Sequence, residues 1–431
     1  MALTGRAALL ALLGVPWVGL VQPGWAGLGV WALVVTAVVG LDLALAASPR
    51  ALRFERAPTG AVRLGEVTET TLTVTNPGRR RLRGVLRDGW QPSAGSVADR
   101  HRLDLPGGER RRVTTALRPT RRGDRRADRV TVRSLGPLGV AARQRSAEVA
   151  GSVRALPPFT SRKHLPSRLA RLREIDGRSS VNVRGQGTEF DSLRDYVDGD
   201  DVRSIDWRAT ARRRQVVVRT WRPERDRRVL LVLDTSRTAA GRVGDAPRLD
   251  AAMDAALLLA ALAARAGDRV DLIAVDRRVR AQVFGSGATT LLSSLVNAMT
   301  PLEAELVEAD WALAVSAVQS RLSRRALVVL LTPLEAAAVE EGLLPVLAQL
   351  TRRHQVVVAS VADPLVAELA RGRRDADEVY EAAAAERAGL DRGRITRLIT
   401  RLGADVVDAT PDQLPPALAD RYLALKAAGR L

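Results

Sequence analysis

The chain has 431 residues, 46% of them hydrophobic and 27% charged, and no cysteine, so disulfide frameworks and thiolate metal sites are excluded and two or three domains are expected. A formal charge of +19, carried almost wholly by arginine with lysine at Lys163 and Lys426 alone, fits nucleic acid or an anionic membrane surface equally well. His101, His164 and His354 are too scattered for ligand spacing, and an aromatic share of 3% leaves the cores to Ala, Val and Leu.

The N-terminus reads as a membrane hairpin, residues 1–48. From Ala7 to Gln22 the chain is uncharged and apolar, though short and containing Pro16. After Pro23 and Gly24 it resumes as WAGLGVWALVVTAVVGLDLALAA, close to the roughly 20 residues that cross a hydrocarbon core. A cleaved signal peptide is the alternative, disfavoured by the second apolar segment. Arg6 precedes the pair and Arg50, Arg53 and Arg56 follow it, so the positive-inside rule places both termini and the soluble domains in the cytoplasm, anchored to the cytoplasmic (inner) membrane. Trp17, Trp25 and Trp31 suit interface or helix-packing positions. Asp42, late in the second helix, reads as a solvated helix end in preference to a functional intramembrane acid.

Residues 49–156 read as a β-sandwich of immunoglobulin-like type. Short alternating runs (TTLTVTN, RRLRGVL, HRLDLPG, RRVTTALRP, DRVTVRS) are broken by turn signals at Asn76-Pro77-Gly78, Pro106-Gly107-Gly108 and Arg122-Gly123-Asp124. Between Arg50 and Arg154 lie 24 arginines against ten carboxylates, which places the charge excess next to the apolar segment. Alternation assigns these arginines to the solvent face of each strand. A stacking platform for nucleic acid interleaves aromatics, and this region offers little beyond Phe54 and Trp90, so nucleic acid is not expected as a partner.

Residues 157–226 form a connector, with a helix around Ser167 to Glu174, and then the stretch DYVDGDDVRSIDWRATARR. Asp195, Asp198, Asp200, Asp201 and Asp206 crowd ahead of Trp207 without an adjacent histidine, thiol or activated hydroxyl, so enzymatic chemistry is disfavoured. No alternating ligand loop ends in glutamate, which excludes an EF-hand. A structural clamp fits better: Asp200 and Asp201 cap the turn near Val202, the acids pair with Arg203, Arg208, Arg212 and Arg213, and Trp207 anchors the segment against the next domain. A partner-binding loop that uses the acids directly stays open beside it.

From residue 227 to 431 strands and helices alternate. VLLVLD ends at Asp234, a helix covers Arg248 to Arg265, VDLIAVD and VRAQVF follow, then helices near Leu291 and Trp311. ALVVLLT, a helix over Ala336 to Leu350, QVVVASV, a helix over Ala382 to Leu402, DVVDAT and a final helix complete the chain. Continuous apolar strands predict a mostly parallel, doubly wound α/β sheet whose ligands bind at the strands' carboxyl ends. No glycine-rich phosphate loop follows any strand, which disfavours a nucleotide. At the end of the first strand, Asp234, Ser236 and Thr238 occupy alternate positions and can point at one spot, a set of hard oxygen ligands suited to Mg²⁺.

This loop, Asp234-Thr235-Ser236-Arg237-Thr238, resembles the metal-ion-dependent adhesion site of von Willebrand factor A domains, with Thr238 in place of the usual serine. The resemblance implies Mg²⁺ held by Asp234, Ser236 and Thr238, joined by a threonine of a later loop, Thr289 or Thr290. It also departs from the pattern: Thr332-Pro333-Leu334-Glu335 puts Pro333 where the family has an aspartate, so the implied site is incomplete.

A longer run resembles the bacterial proteins grouped as domain of unknown function fifty-eight. It comprises Gly187-Thr188-Glu189-Phe190, Leu193-Arg194-Asp195-Tyr196, Gly199-Asp200-Asp201-Val202-Arg203, Ile205-Asp206-Trp207-Arg208 and Ala211-Arg212. Pro119-Thr120-Arg121-Arg122-Gly123, Gly136-Pro137-Leu138-Gly139 and Tyr422-Leu423-Ala424-Leu425-Lys426 extend the likeness. It implies a membrane hairpin, a sandwich and an A-type domain in that order, together with a MoxR-type AAA+ ATPase as partner in assembling or maturing other proteins. The expected function is a non-enzymatic scaffold or adaptor that touches membrane lipids and other membrane or cytosolic proteins. The alternatives are a metal-assisted hydrolase built on the Asp234 cluster, and an anionic-lipid or nucleic-acid binder working through the arginine-rich sandwich.

Overall fold

The computed structural model describes residues 2–182, 189–222 and 227–431, with the backbone course alone for 176–182, 189–192 and 220–222. It divides into two compact units, residues 1–156 and 157–431.

In the first unit an apolar helical pair precedes a sandwich. The helix Gly5–Leu12 and a wider turn over Trp17–Val21 lead to the helix Trp25–Leu45, which is long and apolar enough to cross a membrane. The two arms pack through a notch. Trp31 donates from its indole N–H to the Leu10 carbonyl (3.2 Å) and stacks on Trp17 at 5.9 Å between ring centroids. A Cβ on Gly14 would lie 2.2 Å from the Trp31 ring, so a glycine is needed there. Trp25 remains exposed.

Ten strands form, of which β4 to β8 are the alternating runs read from the sequence: β1 (Ala2–Leu3), β2 (Arg53–Arg56), β3 (Ala61–Arg63), β4 (Thr68–Thr75), β5 (Leu82–Trp90), β6 (Arg100–Leu105), β7 (Arg110–Leu117), β8 (Gly123–Leu135), β9 (Ala141–Ala147) and β10 (Ser152–Leu156). One sheet runs β1-β9-β8-β10-β3 with β5 and β6 branching from β8, and the other runs β2-β4-β7. Leu72, Val74 and Val113 of the smaller sheet bury against Leu82, Leu86, Leu103, Leu105, Val130 and Val132 of the larger. One ion pair lies inside: Asp88 receives both terminal nitrogens of Arg56 (3.0 and 2.5 Å), the Trp90 indole N–H (3.1 Å) and the Thr115 hydroxyl (3.1 Å). Those four donors offset the cost of burying the pair.

The apolar helices are fixed to this sandwich at both ends. Asp42 is fully buried, a correction to the solvated end expected of it. Its carboxylate accepts the backbone N–H groups of Leu138, Val140 and Ala141, each at 2.8 Å, in the turn between β8 and β9. A Cβ on Gly136 would fall 2.2 Å from the Asp42 carboxylate, which gives the Gly136-Pro137-Leu138-Gly139 motif a physical reason. The free carbonyls at the helix end are met by arginine: Arg143 donates to Leu43 (2.8 Å) and Arg80 to Ala44 (3.4 Å). On the other arm Thr4 donates its N–H to the Val140 carbonyl (3.1 Å) and its hydroxyl to Gly139 (2.6 Å), while β1 pairs with β9.

The second unit begins with a turn at Thr160–His164, tied to buried Asp254 by the hydroxyls of Thr160 (2.7 Å) and Ser161 (2.5 Å). A helix over Leu165–Asn182, longer than the sequence pattern suggested, leads to the antiparallel pair β11 (Glu189–Asp195) and β12 (Val217–Arg222). Then come β13 (Arg228–Asp234), the small hairpin β14 (Arg242–Val243) and β15 (Ala246–Pro247), β16 (Arg269–Val275), β17 (Val279–Val283), β18 (Leu327–Leu331), β19 (Gln355–Val361) and β20 (Asp405–Ala409). The main sheet has the order β17-β16-β13-β18-β19-β20, parallel except for the edge strand β17. Helices Trp311–Arg321, Leu344–Thr351 and Ala376–Arg401 share one core with Val232, Ile273, Leu330 and Val358. Arg248–Arg265 and Leu414–Ala427 pack on one another and on the sheet. The continuous helix expected over Ala336 to Leu350 is instead widened at Val339–Leu343, just ahead of Pro345, which has no N–H to give and whose ring crowds the carbonyl four residues back.

Asp42→Ala would strand three N–H donors, two of them buried and that of Leu138 partly so. We expect a loss of about 3 kcal/mol, read as a lower thermal midpoint of the detergent-solubilised full-length chain; an unchanged midpoint would mean that the joint contributes nothing.

Candidate functional site

Numbered by their place in the sequence, the six strands of the main sheet lie in the order 3-2-1-4-5-6, and the order reverses between β13 and β18. Connections leave those two strands on opposite faces, so a crevice opens at their carboxyl ends, where ligands of such sheets bind. Asp234 ends β13 and Thr332 follows β18, side by side in a register that pairs Leu233 with Leu331.

Four side chains meet there, all buried. Asp234 accepts the Ser236 N–H (2.8 Å) on one oxygen, and on the other the hydroxyls of Thr238 (3.0 Å) and Thr332 (2.7 Å). The Ser236 and Thr238 hydroxyls lie 3.1 Å apart. Asp234, Ser236 and Thr238 thus come together. Thr289 does not join them: it is exposed ahead of the helix Leu291–Met299, and among the described residues no hydrogen bond links it to the cluster. Thr290 donates instead to the Gly287 carbonyl (3.3 Å). The later-loop threonine that does meet the aspartate is Thr332, whose signal is its place one residue beyond a continuous apolar strand.

Arginines border the cluster. Arg248 lines the same small cavity, about 10 Å³ and room for a single water, with Asp234, Thr332 and Pro333. Its guanidinium lies 3.5 Å from Glu335, which also faces Arg237 at 3.7 Å, and Arg237 binds Glu308. Next to these, Asp276 accepts the Thr235 hydroxyl (3.1 Å) and Arg280 (2.8 Å). This set does not fit Mg²⁺. It offers one carboxylate, already met by three protein donors, and the nearby Glu335 and Asp276 are taken up by Arg248, Arg237 and Arg280, so no second carboxylate is free to complete an oxygen shell.

The acidic stretch uses most of its charges on itself. Asp200 receives Arg194 in a two-pronged pair (2.7 and 2.5 Å) and the Val197 N–H (3.0 Å), and Asp201 caps the turn at Val202–Ser204 through the Arg203 N–H (2.9 Å). Asp206 caps the helix Trp207–Arg213 through the N–H groups of Arg208 (3.1 Å) and Ala209 (3.0 Å), and its second oxygen holds Arg219 (2.8 Å). Gly199 has φ +104°, which a side chain would strain. The Tyr196 N–H donates to the Val216 carbonyl (2.8 Å) and closes the loop. Two expectations are corrected. The partners of the acids are Arg194 and Arg219 from the strands, while Arg203, Arg208, Arg212 and Arg213 carry no ion pair among the described residues. Trp207 anchors nothing, being 67% exposed. Gly187, Thr188 and the side chains of Glu189 and Phe190 lie outside the described residues.

Hydrogen bonding from Arg194 holds the Asp200 carboxyl below the ordinary carboxylate range, and the Ala209 N–H followed by Arg219 does the same for Asp206. Both folded values lie below the unfolded one, so their contribution is complete above about pH 4 and is lost as pH falls through the folded values.

What the geometry defines is a doubly wound α/β domain with a carboxylate–hydroxyl cluster at its switch point, preceded by a clamp of paired acids and arginines. Residues 192–394 of that region match the family described as protein of unknown function DUF58. The chain is 28% identical over 191 residues to the uncharacterized protein Mb1516 of Mycobacterium bovis and, equally, to the uncharacterized protein Rv1480 of Mycobacterium tuberculosis. Each match covers 43% of this chain and 59% of the relative, so the chain spans about three fifths of the curated relatives it matches. The CARDB domain of the PF1109 protein from Pyrococcus furiosus aligns with 26% of this chain and 90% of that one, at 16% identity and a TM-score of 0.19, too low to carry an argument.

Two outcomes are expected. The thermal midpoint is the same in Mg²⁺ and in EDTA, whereas a rise with Mg²⁺ that Asp234→Ala removes would show that the cluster takes the ion. Protection of the Arg208 and Ala209 amides from hydrogen exchange, relative to the intrinsic rate, falls as pH drops below about 4, and Asp206→Asn flattens that response.

Proposed function

We propose that the chain is a membrane-anchored adaptor, not an enzyme, that works with a MoxR-type AAA+ ATPase in assembling or maturing other proteins. Its α/β unit, read as a von Willebrand factor A-like domain, recognises protein at the carboxyl edge of its sheet. The observation that carries this reading is the Asp42 joint, because a carboxylate spent on locking a membrane-length helix to a folded domain suits a body that must work at a membrane surface. Thr4 and Asp42 bind the same turn, which supports an inserted hairpin with both ends on one side. Arg6 before it and Arg50, Arg53 and Arg56 after it favour the cytoplasmic side of the inner membrane. The strand order with its single antiparallel edge and the Asp234 cluster at the switch point supports the A-type reading. Arg237, paired with Glu308 and facing Glu335 beside that cluster, is the group through which a partner's acidic side chain would enter, by exchanging for one of those glutamates and without Mg²⁺.

Affinity capture of the solubilised full-length chain from its native membranes tests the reading. Recovery of an AAA+ ATPase that survives EDTA and falls at least tenfold with Arg237→Glu is expected. Captures that return no ATPase and no defined complex would remove the proposal.

A further inference from the structure

The second unit leaves two apolar faces uncovered. Among its described residues nine large hydrophobic side chains are exposed, and eight fall into two groups, Leu306 standing apart. The first group is Val197, Val202, Trp207 and Val216 on the clamp, brought together by the Tyr196–Val216 backbone bond and the bond from the Asp206 N–H to the Val217 carbonyl. The second is Leu365, Val379, Tyr380 and Leu390 on the helices Pro364–Leu369 and Ala376–Arg401, which pack on each other. Trp207 and Tyr380 are the most exposed members, at 67% and 78%. Apolar groupings of this kind on a folded surface mark contact sites.

Their charges are opposite. Around Trp207 the exposed Arg203, Arg208, Arg212, Arg213 and Arg214 have no ion-pair partner among the described residues, against the exposed acids Asp195, Asp198 and Asp201. Around Tyr380 the exposed acids Glu368, Asp377 and Glu381 are likewise without a pair, against Arg371. The other acids there are engaged, Glu378 with Arg374 and Glu386 with Arg373. One face therefore carries spare positive charge beside an indole, and the other spare negative charge beside a phenol ring.

We propose that these two faces are the halves of one interface, the Trp207 face of one copy docking on the Tyr380 face of a second copy. A single contact would cover both apolar groups and pair the spare arginines with the spare acids, with Trp, Tyr and Arg at its centre, the residue types that dominate such contacts. An anionic membrane would cover the first face alone, since three unpaired acids flank the second. Because the two halves differ, the contact is head-to-tail and produces a ring or an open row of copies instead of a closed pair. The proposal is independent of the adaptor reading.

The absence of cysteine makes the test direct. Full-length chains carrying Arg212→Cys are mixed in detergent with chains carrying Glu381→Cys and oxidised. A disulfide-linked heterodimer is expected in at least tenfold excess over a control pair of Arg212→Cys with Gln282→Cys. By light scattering, the concentration for half-assembly should rise at least tenfold with Trp207→Glu or Tyr380→Glu. It should rise likewise with Arg212→Glu or Glu381→Arg, and return when those two exchanged-charge chains are mixed. Circular dichroism of each variant checks its fold, and the reciprocal mixture reads the contact even if one single variant is damaged. A chain monodisperse as a monomer at every concentration would overturn the proposal, as would assembly indifferent to both faces. So would binding to anionic vesicles that needs Trp207 while self-association does not.

Discussion

A carboxylate within an apolar helix is unfavourable unless its charge is met, and Asp42 is met by three backbone N–H groups of a turn almost a hundred residues further along the chain. Because backbone groups supply those bonds, no side chain in the turn need be acidic or basic, but the backbone must come close, and Gly136 allows it. Arg143 and Arg80 take the helix's last carbonyls, so the acid and the helix end are compensated by one small region of the sandwich. The hairpin and the sandwich consequently fold as a single unit: neither the acid in the helix nor the turn in the sheet is satisfied without the other.

The same economy of charge runs through the second unit. Asp234 binds two hydroxyls and an amide, Asp200 and Asp206 bind arginines and cap turns, and Asp254 and Asp276 hold neighbouring segments. Acids that look available when read in a row are thus mostly committed to internal donors. The arginines are less committed, and the surface left for partners is cationic and apolar at the clamp. This is why the aspartate-rich stretch makes a poor catalytic or metal site and a good frame on which to display Trp207.

Strands were legible where the local pattern alone fixes the answer. Alternation marked β4 to β8, continuous apolar runs marked β13, β18 and β19, and the helix Arg248–Arg265 was readable to its ends from its Ala/Leu periodicity. Pairings across long sequence distances were not legible. Nothing near Asp42 in the sequence points to Leu138–Ala141, and nothing near Asp206 points to Arg219 in place of Arg208. Of the strand-end cluster, the local part at Asp234, Ser236 and Thr238 could be read from spacing. Its closing member Thr332 depends on which strand lies beside β13, a property of sheet order that spacing does not carry.

The arginines of the sandwich do more than keep it soluble. In β8 the buried Val130 and Val132 alternate with exposed Arg129 and Arg133, and in β7 the buried Val113 follows exposed Arg112. Sliding either strand by one residue would turn guanidiniums into the core and valines into water, so each wrong pairing is penalised at several positions at once. The long cationic rows also discourage foreign strands from adding to an open edge. A sheet made of Leu, Val and Thr, with little aromatic packing to set its alignment, can in this way have its register proofread by charge.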